Sequence, residues 1–354
     1  MSTPAPPLPR EIQVEVTGAC NLRCRMCLVR YRPALDRSEG SLPLRTFTRL
    51  VDELPELSTI TLQGLGEPLL APDLETMVEY ATARGCRVGF NTNATLLTRR
   101  RARRLVRAGL SWLHISLDGA TPATYESIRD GARFATVEAN VRGLVDVKQG
   151  LAADNPELSL VFVAMRRNVG ELPALVRLAA DWGVGRLRVQ NLSHSFSDTD
   201  PAGSYRQIRE FAAHEALWGD GGSAEAEGGG GERGNGGEGG GGAGGVAGIF
   251  AEARRLASDL RVDLRLPRVE PREVRPPGTP GCDWPWRSAY VTHEGRVQPC
   301  CMLMGGDRAV LGDVTSAPFP AVWRGAAYRD FRDALLTQTP PEVCRGCAMY
   351  RGVF

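Results

Sequence analysis

"TGACNLRCRMCLVR" (residues 17–30) sets Cys20, Cys24 and Cys27 in a C-x3-C-x2-C pattern directly behind the apolar-alternating run "IQVEV" (12–16). A structural zinc site or a fully protein-ligated iron–sulfur cluster asks for four protein ligands, and this loop offers three. Three thiolates on one short loop can cap three corners of a cubane and leave the fourth iron with an open coordination position. A small molecule can bind there and receive an electron. The stretch therefore predicts a redox cluster behind the first strand of an α/β fold, and the flanking sequence should supply the remaining strands.

It does so in sequence order. "TITL" (59–62), "RVGFN" (87–91), "WLHISL" (112–117), "LSLVFVAM" (158–165) and "RLRVQN" (186–191) continue the β-type pattern begun by "IQVEV". Between them, "LRTFTRLVDEL", "PDLETMVEYATARG", "TRRRARRLVRAG", "FATVEANVRGLVDVKQG" and "ELPALVRLAADWG" carry helical apolar spacing, several closing on Gly as a C-cap would. Strands separated by helices imply parallel pairing with right-handed crossovers. The loops after the strands then gather on one face, where α/β barrels keep their active sites. The expectation is a partial (β/α)6 barrel of the TIM type over residues 11–195.

Composition bounds the rest. In 354 residues, 43 Lys and Arg stand against 41 Asp and Glu, a net charge of +2, which gives no general footprint for nucleic acid. The one basic run, "TRRRARRLVR" (98–107), reads as a helix with a solvated face. "MSTPAPPLPR" is Pro-rich and lacks an apolar stretch, so residues 1–10 read as a flexible leader and not an export signal. The longest apolar run is strand-length, too short to span a bilayer. The expectation is a cytoplasmic protein with reduced thiols, in which nine cysteines argue for metal or redox chemistry. Residues 219–248 are Gly-rich and cannot bury a core, which predicts a solvated insertion. It lies inside a final helical region and linker (196–281), ahead of a small cysteine-rich unit over 282–354.

The motifs behind successive strands resemble those of the radical S-adenosylmethionine (SAM) superfamily. "CNLRCRMC" follows the first strand, "GLGEP" (64–68) the second, "NTNATLL" (91–97) the third, and "HISLDGATPATYESIRDG" (114–131) spans the fourth. Met26 stands where the family often has an aromatic residue, and its polarizable sulfur can pack on an adenine ring. The resemblance covers essentially all of residues 11–195. It implies that Cys20, Cys24 and Cys27 hold a [4Fe–4S] cluster completed by SAM. It also implies SAM contacts from Gly64, Gly66, Glu67 and Pro68, from Asn93, from Ser116, Asp118 and Arg129, and from Asn191 near the adenine. Gly64 and Gly66 would permit close backbone approach, and Glu67–Pro68 would fix the turn.

A second cysteine set follows. Cys282, Cys300, Cys344 and Cys347 can coordinate one further cluster, and on spacing alone a structural zinc site is as good a reading. "VTHEG-RVQPCC" reads as a β-hairpin turning at Glu294–Gly295. Beside a radical SAM core the arrangement resembles the short twitch form of the SPASM domain, which implies a single auxiliary [4Fe–4S] cluster. Cys301 is left over: it reads as a buried small residue, or as a thiol that donates a hydrogen atom to a substrate radical. Cys86 reads as core.

By the resemblance, SAM is cleaved reductively to a 5′-deoxyadenosyl radical that takes a hydrogen atom from a substrate C–H, with electrons from a flavodoxin- or ferredoxin-type donor. The cofactor carries the difficult chemistry and the protein orients the substrate. The start of the barrel motif at Cys20 leaves no room for an N-terminal peptide-recognition domain, and the cluster spacing resembles that of twitch-domain aminocyclitol dehydrogenases. The favoured substrate is therefore a sugar or aminocyclitol whose secondary alcohol is oxidised. Epimerisation through Cys301 and peptide maturation are the alternatives. For the substrate base, His114, Asp118, His194, Asp283, His293 and Glu294 are candidates, and His194 is preferred from its place beyond the sixth strand.

Overall fold

The computed structural model describes residues 6–31, 39–192, 205–217, 243–267, 281–303, 308–337 and 339–351. The six expected strands form as β1 (Glu11–Val14), β2 (Thr59–Thr61), β3 (Arg87–Thr92), β4 (Trp112–Ser116), β5 (Glu157–Ala164) and β6 (Arg186–Asn191). They pair in parallel and in sequence order. Helices cross between them and cover the outer face. The helix Leu44–Asp52 buries Phe47, Leu50 and Val51, the i, i+3, i+4 spacing that one apolar stripe requires. The basic run forms the helix Arg99–Arg107, started by Thr98 Oγ1 accepting from the Arg101 amide. It buries only Ala102 and Leu105, while Arg99 pairs with Asp146 and Arg101 with Glu75.

Four further strands follow β6 in the chain, and the sequence pattern places only a hairpin among them. A short β7 (Asp263–Arg265) extends the parallel sheet beyond β6. Its three residues, exposed or half-buried, give no apolar alternation to read. The hairpin of β8 (Ser288–Val291) and β9 (Arg296–Gln298) turns at Gly295, whose φ of +92° suits glycine. β10 (Gly312–Asp313) then pairs antiparallel with β9. β8 lies parallel to β1, Glu11 opposite Ser288 and Val14 opposite Val291, so the cysteine-rich unit continues the barrel sheet. The result is a ten-stranded sheet in the order β10-β9-β8-β1-β2-β3-β4-β5-β6-β7.

The C-terminal unit is packed by "VWRG…YRDFRDAL". Trp323 stacks on Phe319 with ring centroids 5.9 Å apart, and the Arg332 guanidinium lies 4.2 Å from the Trp323 ring and 4.5 Å from that of Tyr328. Trp323 Nε1 donates to the carbonyls of Pro6 and Pro7, and Leu8 packs on the core. Pro6, Pro7 and Leu8 of the expected leader thus lie against residues distant in the chain. The helix Ala243–Asp259 likewise reaches into the Gly-rich stretch 219–248, so its last residues are helical. The remainder of that stretch, most of the Pro-rich linker and His194 lie outside the described residues. No helix among the described residues is long and apolar enough to cross a membrane.

Register defines the inner face of the barrel. Gln13, Thr61, Gly89 and Trp112 are successive partners across β1–β4. A Cβ on Gly89 would stand 2.2 Å from the Trp112 indole, so the ring lies over the glycine and floors the barrel. Two residues further along each strand come Asn91, His114 and Ser159, again as partners, and then Ser116, Val161 and Arg188. The strand ends above these open onto the cysteine loop.

Candidate active site

The loop after β1 is held by its own arginines. Arg23 Nη1 donates to the carbonyls of Cys20 and Leu22, and Arg30 Nη1 donates to the Arg23 carbonyl and to Asp130. Arg25 Nε reaches the Ser127 carbonyl, and the Arg23 and Arg25 amides bond to the carbonyls of Asp130 and Ile128. Cys20 and Cys27 are half-buried and Cys24 is buried. Burial pushes all three thiols up, Cys27 to about 12, with negative neighbours adding to it. Met26 is buried in the core.

The "GLGEP" turn fits against this loop by having no side chains in the way. A Cβ on Gly66 would stand 2.1 Å from the Thr17 carbonyl oxygen and 2.7 Å from that of Ala19, and one on Gly64 would stand 2.3 Å from Glu15 Cγ. The close approach these glycines allow is thus to the chain's own β1 and cysteine loop. Glu67 is buried, and its amide donates to the Ala19 carbonyl. Its carboxylate accepts from the Leu69 amide at 3.2 Å, Thr92 Oγ1 at 2.6 Å and the Asn93 amide at 2.8 Å. Pro68 opens the short 3-10 turn that Glu67 caps. Burial raises the Glu67 carboxyl, opposed by these three donors. Its observed role is to tie the loop after β2 to the loop after β3.

Asn93 continues the tie. Its Nδ2 donates to Asn21 Oδ1 at 3.0 Å, inside the cysteine loop, and its Oδ1 accepts from the amide and hydroxyl of Thr95. Asn21 returns a bond to Thr95 Oγ1 at 2.8 Å.

Asp118 was expected at the rim and as a base, and the structure places it elsewhere. It is fully buried, with Oδ2 accepting from Arg129 Nε at 2.7 Å and Nη2 at 2.6 Å, and Oδ1 accepting from the Val163 amide at 2.8 Å. Full burial and the pairing with Arg129 set it away from a substrate proton. Arg129 is held charged: burial works against the guanidinium, and Asp118, then Cys24, outweigh it. Its Nη1 points at Cys24 Sγ, 3.9 Å away. Ser116 and Asn191 are half-buried at the ends of β4 and β6, opposite Val161 and Ala164.

Sequence reading missed Glu15. This buried carboxylate accepts from the Leu65 amide of the "GLGEP" turn at 2.8 Å and bonds His293 Nδ1 of the β8–β9 turn at 2.8 Å. An acid in the same inward phase as Gln13, between the apolar Val14 and Val16, was the available signal. His114 is half-buried on the inner face, with Nδ1 3.0 Å from Asn91 Oδ1. That contact makes Nδ1 the donor and leaves Nε2 with its lone pair. Burial, then Arg188 and Arg186, push His114 down to about 4, so it is neutral at ordinary pH.

In the C-terminal unit, one small cavity is lined by Cys282, Cys300, Cys344 and Cys347 with Trp284 and Tyr350. These are the four cysteines expected as ligands, and Cys301 is not among the lining residues. Cys301 sits in the adjoining 3-10 turn, its thiol pushed up to about 12 by burial and then by Cys347 and Cys282. Cys86 is buried, its Sγ 3.2 Å from the Leu57 carbonyl. Among the described residues, no three Cys, His, Asp or Glu side chains close on a single ion.

Residues 14–150 match the radical SAM superfamily, and residues 282–348 match the SPASM iron–sulfur cluster-binding domain. Residues 14–150 thus form a radical SAM domain and residues 282–348 a C-terminal SPASM domain. It is similar to the mycofactocin maturase MftC of Mycobacterium tuberculosis, with 35% identity over 187 residues, 52% of this chain and 45% of that protein. It is also similar to the AdoMet-dependent heme synthase of Oleidesulfovibrio alaskensis, with 25% identity over 361 residues, 96% of this chain and 83% of that one. Among solved structures, SuiB of Streptococcus suis bound to its precursor peptide superposes with a TM-score of 0.64 at 13% identity, covering 98% of this chain and 71% of that one. That likeness is one of fold. The chain spans about half the length of the first curated relatives it matches, 51% of one and 45% of another.

The family's cofactors are a [4Fe–4S] cluster with SAM in the first domain and additional iron–sulfur in the second. The residues present fit them. Three thiols crowded on one loop are driven toward protonation by burial, and cationic iron reverses that preference because metal ligation stabilises thiolate. The Arg129 N–H aimed at Cys24 Sγ suits a sulfur that carries negative charge. The C-terminal cavity gathers four thiols among otherwise apolar and aromatic walls.

Proposed function

We propose that this chain is a radical SAM oxidoreductase acting on a C–H bond of a small polyhydroxylated substrate, a sugar or a cyclitol, held on the inner face of the barrel. When bound, the first cluster with SAM supplies a 5′-deoxyadenosyl radical that takes the hydrogen atom, and the second cluster supplies an acceptor for the remaining electron. Cys20, Cys24 and Cys27 would hold the first and Cys282, Cys300, Cys344 and Cys347 the second. The chain's own part is to orient the substrate and exclude water beneath the cysteine loop.

The observation that carries this reading is the polar inner face. Gln13, Asn91, His114, Ser159 and Gln190 share it, while the opposite faces of the same strands bury Leu113, Leu160, Leu187 and Val189 against helices. Amide and imidazole groups facing inward match hydroxyl-rich ligands, each able to donate and accept. Neutral His114, with Nε2 as acceptor, replaces His194 as the preferred partner for a substrate hydroxyl proton. Gly64, Gly66, Glu67, Pro68, Asn93, Ser116, Arg129 and Asn191 remain the proposed frame for SAM. Within that set Glu67 and Arg129 act by fixing the loops around it.

A peptide substrate is the second reading, favoured by the maturase MftC and by SuiB, whose structure holds a precursor peptide. We further propose a flavodoxin- or ferredoxin-type electron donor and a reducing, cytoplasmic setting. The test is anaerobic reconstitution with iron and sulfide, then SAM and reductant. About eight irons per chain and formation of 5′-deoxyadenosine are expected. A reconstituted chain that makes no 5′-deoxyadenosine overturns the enzyme reading. Product lighter by two hydrogens marks dehydrogenation, product of unchanged mass marks epimerisation, and a crosslinked peptide marks the second reading.

A further inference from the structure

Arg188 on β6 faces inward beside His114, where an arginine is not needed for packing. It stands opposite Val161, and it is half-buried with its Nε shielded from solvent and without a hydrogen-bond partner among the described residues. Its neighbours add charge of the same sign. Arg186 pairs with Glu157 and lies 3.8 Å from Asp263, and Arg265 also lies 3.8 Å from Asp263. Both local carboxylates are thus engaged by the other two arginines, and the third guanidinium is left as excess positive charge. The groups facing it are Arg186, Arg265, Asp263, Glu157 and the neutral His114, and burial, then Arg265 and Arg186, disfavour its charge. A guanidinium placed where its charge is disfavoured, with an unused N–H turned away from water, is a site that an anion completes.

We propose that Arg188 is the docking residue for an oxyanion of the substrate, a carboxylate or a phosphate ester, held on the inner face of β6 below the cysteine loop. This rests on the reading above and narrows its substrate class. Asn191, at the strand end, is three residue steps on from Arg188, about 10 Å along an extended strand. A substrate anchored through its anion at Arg188 therefore presents its far end at the rim, where SAM is expected. His114 lies one row nearer the barrel floor than Arg188, where its Nε2 can accept a substrate hydroxyl beside the anchored end. The same excess charge argues against an aminocyclitol, whose ammonium would face the Arg188 guanidinium.

The test uses the anaerobically reconstituted protein with SAM and three probes: glucose 6-phosphate, gluconate and glucosamine. Binding is read by equilibrium dialysis and by the shift in thermal midpoint. At least one anionic probe should bind and glucosamine should not. Preference for the phosphate or for the carboxylate assigns the source of the oxyanion. Arg188→Gln should weaken the anionic probe about tenfold or more, the scale of one charge-assisted contact, and Arg188→Lys should recover part of that loss. Should Arg188→Gln fail to fold, the ratio between Arg188→Lys and the parent carries the test, because a lysine point charge cannot reproduce a guanidinium fork. Glucosamine binding as well as the anions, no probe binding, or unchanged anion affinity in the folded variants overturns the proposal. Failure of the radical SAM reading is distinguished by the parent chain making no 5′-deoxyadenosine.

Discussion

Replacing Asp118 by Asn isolates what the Asp118–Arg129 pair does for the cysteine loop. Asp118 is wholly buried and the Arg129 side chain is 10% exposed, so neither charge is appreciably relieved by water. Asn is nearly isosteric and can still accept from the Val163 amide. Its amide nitrogen would then face Arg129 Nε and Nη2, donor against donor, leaving a buried guanidinium without its counterion. Breaking a buried pair from one side costs about 3–5 kcal/mol. The companion double variant Asp118→Asn/Arg129→Met removes the stranded charge and should regain most of that loss, since apolar replacement of a whole buried pair is often close to neutral. The assay is urea unfolding of the reduced, iron-free chain followed by tryptophan fluorescence, for both single variants and the double. Iron content after reconstitution is measured in parallel, because Arg129 Nη1 faces Cys24 Sγ and every variant that loses it should load less iron. A single Asp118→Asn variant within about 0.5 kcal/mol of the parent, the range of ordinary surface substitutions, refutes the reasoning.

Gly66→Ala should block iron loading at the first site, read as loss of about half the iron and of 5′-deoxyadenosine, because its Cβ would stand 2.1 Å from the Thr17 carbonyl oxygen and displace the cysteine loop. Cys344→Ala should also lose about half the iron, from the second site, while 5′-deoxyadenosine formation persists. His114, lowered to about 4 from an ordinary 6.5, stays neutral in the fold while the unfolded chain takes up a proton. Its contribution to stability is thus present above about pH 6.5 and is lost as pH falls toward 4. The parent should lose about 2 kcal/mol more than His114→Gln between about pH 7 and pH 5, measured by denaturant unfolding. Cys301→Ala should leave a dehydrogenase nearly unaffected and should abolish product from an epimerase, read by product analysis beside 5′-deoxyadenosine.

The parallel core was legible because its signals are local. Apolar alternation over 12–16 or 158–165 is β-type whatever surrounds it, and three cysteines within eight residues name their chemistry by spacing. The four ligands expected in the C-terminal unit line one cavity for a similar reason, since a hairpin and a C-x2-C turn constrain where thiols can go. What failed to show was everything that depends on a partner distant in the chain. Glu67 reads in sequence as fixing a turn, and its further tie between loops appears only in the fold, because its three donors come from the turn after β2 and the end of β3. Asp118 looked like a rim acid, and only the return of the chain at Arg129 shows both its oxygens to be occupied. Arg188 reads in sequence as the polar phase of a strand, and its isolation appears only when Glu157 and Asp263 are seen to be taken by Arg186 and Arg265.

Glu15 joins the two cysteine-bearing units through one buried carboxylate. One carboxylate oxygen holds the Leu65 amide in the turn proposed to frame SAM, and the other holds His293 at the tip of the hairpin that precedes Cys300. β1 itself pairs with β2 on one side and β8 on the other, so the backbone makes the same connection that the side chain does. A C-terminal unit attached only by a linker could drift relative to the barrel. A unit hydrogen-bonded to β1 and pinned through a buried carboxylate holds its cavity at a fixed distance from the cysteine loop. Glu15→Gln preserves the volume and an acceptor for Leu65, and turns an amide donor toward the ring nitrogen of His293. It should uncouple the halves selectively: limited proteolysis should cut the β8–β9 region faster while the first cluster still loads, and equal cleavage rates in variant and parent would show that the strand pairing alone suffices.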